Sequence, residues 1–175
     1  MSLTQQLIRF KFIGTSRAAA NRIIEQEAAR TIALVEAAGP EKAALPTRVK
    51  AMIGVDEDMR DWSMYQILEH NIIANGAMTA RIEHLVNDTE MPGNFDPKKD
   101  VMPSEAPGPE QLDRFKKSVN IHLKRIARHE NLRATKKAPH PIFGPFNAHM
   151  WHGMCGFHLM LHRRQLEAIR DAQTS

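Results

Sequence analysis

The sequence predicts an all-α fold, a four-helix bundle, on three observations. Four long segments repeat apolar residues at helical spacing, capping or breaking residues bound each of them, and strand signals are almost absent. The chain has 175 residues, 42% hydrophobic and 25% charged. That length and balance suit a single globular domain over residues 1–175, large enough to bury a core without disulfide staples.

The first helix is expected over residues 15–38, where Ile24, Ala28, Thr31 and Val35 fall on one stripe and Gly39-Pro40 stops it. A second is expected over 61–89, ended by Met91-Pro92-Gly93. The third, over 109–131, starts with Pro109 in a favoured first-turn position and carries Leu112, Phe115, Val119, His122 and Ile126 on one face. The fourth, over 147–169, opens on Asn147 as its N-cap. Residues 8–12 alternate, but the run is too short and isolated to anchor a sheet.

The connections exceed the 2–8 residues of a simple up-and-down bundle. Residues 91–109 hold five of the ten prolines. Nineteen residues reach ~60 Å when extended, more than the ~42 Å of a 28-residue helix, so this connection can let the second and third helices run parallel. Two other connections are also long, and length alone leaves the topology open.

Composition removes several function classes. No apolar run approaches the ~20 residues of a membrane-spanning helix. One cysteine excludes an intrachain disulfide framework and any Cys-x-x-Cys motif, in keeping with a reducing, cytoplasmic setting. The formal charge of +4 is mild and reads as spread along the chain, so neither nucleic acid nor a membrane is an expected partner. Residues 1–24 lack acids and carry Arg9, Lys11, Arg17 and Arg22. A transit peptide can look like this, but the segment runs straight into a helix.

Nine histidines are the informative excess. His158-x-x-x-His162 places two imidazoles one turn and ~40° apart on the stripe that also carries Trp151, Met154, Cys155, Leu166 and Ile169. Buried imidazoles need partners, and a shared metal is one way to supply them; bonds to carbonyls or water are the other. A stable site needs a third group. His70 is the better candidate, on a stripe with Ser63, Ile67, Ala74 and Ala77, and His122 on the third helix is the next. His149 and His152 point away from His158 on a continuous helix, and His84 lies too far along the second.

Rival sites fall away. No Glu is followed by His three residues later, as di-iron bundles require, and His129-Glu130 is followed by Arg133 rather than a zincin histidine. No P-loop, dinucleotide-binding glycine motif or nucleophile elbow occurs. Cys155 reads as a small buried hydrophobe rather than half of a Cys–His pair.

Asp61, Trp62 and Ser63 leading to Gln66, Ile67, Leu68, Glu69 and His70 resemble the second-helix signature of the DinB/YfiT-like superfamily. The stretch His140, Pro141, Ile142, Phe143 and Gly144, then Trp151, then Phe157 to Ile169, resembles that superfamily's last helix. The resemblance implies a bundle of up-down-down-up topology, commonly dimeric. It implies that His70, His158 and His162 bind a divalent metal, zinc or nickel, and that the substrate is a small molecule. Thiol-dependent S-transferases and an isomerase in the superfamily imply a low-molecular-weight thiol as cosubstrate. The added histidines at 122, 129, 149 and 152 depart from that pattern. Glu69 and Gln165 neighbour the ligands in helical space and are candidates to orient them.

Overall fold

The computed structural model describes residues 2–90, 96 and 99–174. It is mostly helical, with five helices and one two-stranded hairpin among the described residues: α1 (Leu3–Gly14), α2 (Arg17–Ala44), α3 (Met64–Val86), α4 (Glu110–Ala127), β1 (Ala138–His140), β2 (Gly144–Phe146) and α5 (Ala148–Thr174). The four predicted helices correspond to α2, α3, α4 and α5.

Local chemistry sets their ends. Ser16 caps α2 by accepting from the Ala19 amide. Gly39 breaks that helix as expected, with φ 73° and ψ 165°, but a further turn starting at Pro40 follows it to Ala44. At α3, Ser63 and Gln66 form a reciprocal capping box, satisfying two amides that the helix leaves unpaired. Asn147 caps α5, its Oδ1 accepting from the Met150 amide at 3.0 Å.

Two elements differ from expectation. Residues 8–12 lie in α1, which a Ser2–Gln5 capping box starts. The alternation misleads because Phe10 is an exposed apolar residue, whereas Ile8 and Phe12, four apart, pack toward the body. The second is the hairpin, three residues per strand, paired antiparallel with Pro139 opposite Pro145. Strands this short carry no periodicity to detect. Gly144 takes φ 72° at its return, where side-chain-bearing residues are disfavoured. The Phe12 ring meets Phe143, Phe146 and Phe157 edge-on at 5.5–5.8 Å, so the aromatic residues join α1, the hairpin and α5.

Inside the bundle, Ile24, Ile67, Leu68, Phe115, Ile126, Leu159, Leu166 and Ile169 are fully buried. Polar contacts run in order along the helices. From α3 to α4 they pair Glu69 with Gln111, Asn75 with Ser118, Thr79 with His122 and Glu83 with Arg125. From α3 to α5, His70 meets His158, Asn75 meets Cys155 and Arg81 lies over Trp151. Glu27 of α2 and Arg163 of α5 form a buried ion pair, with Glu167 as the second partner of Arg163.

Candidate metal centre

His70 on α3 and His158 and His162 on α5 bring one ligand atom each to within 4.8 Å of one another. Their ring centroids lie 4.6–5.1 Å apart. His122, the alternative third group, lies elsewhere: its Nε2 is 3.0 Å from Nδ1 of His152 and its Nδ1 is 2.7 Å from the Thr79 hydroxyl. His149 bonds the Thr15 carbonyl, and His84 contacts Thr89 at the far end of α3.

Neighbouring groups fix which nitrogen of each ring faces the centre. The Val101 carbonyl can only accept, so His70 Nδ1, 2.8 Å away, carries the proton and donates. His70 Nε2 is therefore left with a free lone pair. At His162 the tautomer is set through Gln165. The Gln165 amide nitrogen donates to the Met59 carbonyl at 2.7 Å, which turns its Oε1 toward His162. His162 Nδ1 donates to that oxygen at 2.9 Å and leaves Nε2 unprotonated. Such bonds to the outer nitrogen are how proteins orient imidazole ligands.

His158 completes the set. Its Nε2 stands 3.2 Å from Nε2 of His70. Two nitrogens each 2.0–2.1 Å from a common tetrahedral ion stand about 3.3 Å apart, so the spacing fits. Its Nδ1 is buried without a partner among the described residues. Two imidazoles at this separation repel unless a proton or a cation lies between their lone pairs, and a cation frees His158 to hold its own proton on Nδ1.

The rings are held neutral, as metal ligation requires. Burial pushes His162 down to about 3, with His70 adding to the effect. His158 is driven well below its ordinary value by burial, then by its two neighbours and His140. Burial also lowers His70, partly opposed by the bond to Val101. His70 and His162 are each 2% exposed, while His158 is half-buried and forms the more open side.

The surroundings are partly as expected. Gln165 orients His162, but among the described residues Glu69 has no hydrogen bond to an imidazole. It accepts from the Ser104 amide at 2.7 Å and hydroxyl at 2.6 Å, pinning the segment that delivers the Val101 carbonyl. Trp62 adds an apolar wall, its ring 5.2 Å from that of His70. The two carbonyls, of Val101 and Met59, have no sequence signature, because every residue carries one. Cys155 is fully buried, its thiol pushed up to about 12 and bonded to Asn75 Oδ1 at 3.3 Å, so it is an inert thiol rather than a nucleophile. Two surface clefts, one lined by Arg17 and Arg133, the other by Arg81 and Lys136, lie away from the three histidines.

The three histidines that the sequence resemblance names thus lie together, and the DinB superfamily model matches residues 23–166. The chain belongs to the DinB superfamily. The matched span takes in most of α2, all of α3 and α4, and α5 as far as Leu166, including the three histidines. In this DinB protein α1 lies outside the match. No curated protein and no solved structure matches the chain significantly. No helix among the described residues is long and apolar enough to cross a membrane.

Proposed function

We propose that His70, His158 and His162 bind one divalent ion, zinc or nickel, and that the protein is a metal-dependent enzyme activating a thiol or water nucleophile. The observation that carries this reading is the convergence of three neutral imidazoles, two with their outer nitrogens committed to an amide oxygen and a carbonyl. Imidazole ligands suit zinc and nickel. Three protein ligands with no carboxylate or cysteine in the set match catalytic sites, which keep a position for water or substrate, rather than closed structural ones. When bound, the ion supplies Lewis acidity that lowers the pKa of a coordinated water or thiol.

The protein's own groups do the rest. Gln165 and Val101 hold two rings in the productive tautomer, Trp62 excludes water from one side, and Glu69 anchors the segment carrying Val101. Superfamily membership supports a small-molecule substrate and a low-molecular-weight thiol as cosubstrate, in an S-transferase, isomerase or hydrolase type of reaction. It also supports a homodimer, and the single cysteine suits the cytoplasm. The up-down-down-up arrangement is supported by the contact order: numbers rise together along α3 and α4 and run oppositely along α3 and α5.

The test is the visible spectrum of cobalt-substituted protein titrated with small thiols. An open position predicts a changed ligand-field band on thiol addition. A spectrum indifferent to thiols, azide and imidazole would point to a closed site and a noncatalytic metal- or ligand-binding bundle.

A further inference from the structure

Three segments distant in sequence, α1 with the start of α2, the end of α3 and residues 124–147, together combine charge and exposed apolar surface. Hydrogen bonds gather them. Arg17 donates to the carbonyls of Ile126 and His129, Arg133 to those of Ile13 and Thr15, and Arg9 to that of Phe143. Glu83 and Asp88 pair across to Arg125 and Lys136. Residues 1–24, 81–90 and 124–147 together hold eleven Lys and Arg against four Asp and Glu, a surplus of seven. The rest of the chain is therefore net acidic, since the whole balance is +4. A charge that reads as dispersed along the sequence is thus concentrated in segments that the fold joins.

Within this group α1 is apolar on two opposite faces. At 100° per residue Ile8 and Phe12 point inward, while Leu3, Leu7 and Phe10 lie within roughly 60° of one another on the outer face. Leu7 is 62% and Phe10 67% exposed, with Leu3 and Ile13 beside them. Ile142, 55% exposed, adds a separate apolar residue at the hairpin return. An exposed apolar stripe of this kind on a helix marks an interaction surface.

From this juxtaposition we propose that the outer face of α1 docks peripherally on an anionic lipid surface, with Leu3, Leu7 and Phe10 entering the headgroup boundary and nearby Lys and Arg, Lys11 of α1 among them, facing lipid phosphates. Interfacial helices combine apolar burial with attraction to anionic headgroups in this way. A second copy of the chain fits less well. A symmetric contact through this face would set two ends with a surplus of seven positive charges against each other. Nucleic acid would use the charge but leaves the leucines and Phe10 without a role. The proposal departs from the expectation of no membrane partner: α1 is too short to span a bilayer, and docking does not require it to.

The experiment is co-sedimentation of the full-length, tag-free protein with vesicles. Binding is expected to phosphatidylcholine vesicles holding about one-third phosphatidylglycerol, not to phosphatidylcholine alone, and to weaken steeply with salt. Leu7→Ser/Phe10→Ser should lower the partition coefficient at least about tenfold, since each loses burial of a large apolar group. Should that variant fold poorly by circular dichroism, Lys11→Glu/Lys137→Glu, both on the exposed surface, carries the test and should bind several-fold less. The proposal is overturned if the protein shows no preference for anionic vesicles, or if the folded variants bind them as the parent does. It is equally overturned if Leu7→Ser/Phe10→Ser splits a dimer into monomers in sedimentation velocity, or if the protein binds a DNA duplex and ignores vesicles.

Discussion

His162 Nδ1 donates to Gln165 Oε1 across 2.9 Å, and the same Gln165 amide donates to the Met59 carbonyl across 2.7 Å. A side chain one turn along α5 thus determines which nitrogen of His162 is free, and it reads the correct orientation from a carbonyl in the α2–α3 connection. Gln165→Leu keeps the volume but removes both bonds. Divalent-ion affinity should fall about 10–100-fold, as when an outer partner of a metal-bound histidine is lost. Chelator competition measures it; unchanged affinity would deny Gln165 this role.

The Glu27–Arg163 pair, both residues under a tenth exposed, ties α2 to α5. Arg163→Ala leaves the buried Glu27 carboxylate with only the longer contact to Arg30, at 3.4 Å, and should destabilise the fold by up to about 3–5 kcal/mol. The double change Glu27→Leu/Arg163→Met removes both charges and should cost much less. Urea unfolding of the two variants separates these outcomes, and equal losses would mean that packing, not charge, dominates there.

His122 and His152 are fully buried and stack at 5.2 Å, with their pKa values lowered by burial to about 4 and about 3 from an ordinary 6.5. The unfolded chain therefore binds protons that the folded chain rejects, and stability must fall as pH drops from 6.5 toward 4. It is fully present above 6.5. His152→Gln should flatten that pH dependence by up to about 1.4 kcal/mol per pH unit, the contribution of one proton. Urea midpoints measured from pH 7.5 down to about 4.5 test it; parallel curves for parent and variant would contradict it.

Gly39 combines φ 73° with ψ 165°, a conformation essentially restricted to glycine, yet a Cβ there would meet nothing within 4 Å. Gly39→Ala should cost about 1–3 kcal/mol through backbone strain alone. A thermal melt unchanged by the substitution would mean that the backbone relaxes.

Much of the site could be read from the sequence because its signals are local. His158 and His162 are four apart on an apolar stripe, and His70 sits among small residues that leave room for a ring. What could not be read is non-local. Val101 and Met59 act through carbonyls. His122 and His152 find each other across two helices. The positive end exists only once α1, the end of α3 and residues 124–147 are folded together. In the fold, helix stripes and caps marked α2 to α5, whereas α1 was concealed by an outward Phe10 and the hairpin by its length.

The most direct measurement is the metal content of tag-free protein and single alanine variants, with circular dichroism confirming that each folds. The account predicts about one divalent ion per parent chain, strong loss in His70→Ala, His158→Ala and His162→Ala, and retention in His149→Ala and His152→Ala. Full retention in all three site variants would contradict it and reduce the trio to hydrogen-bonded core histidines. So would loss in His122→Ala alongside retention in His70→Ala.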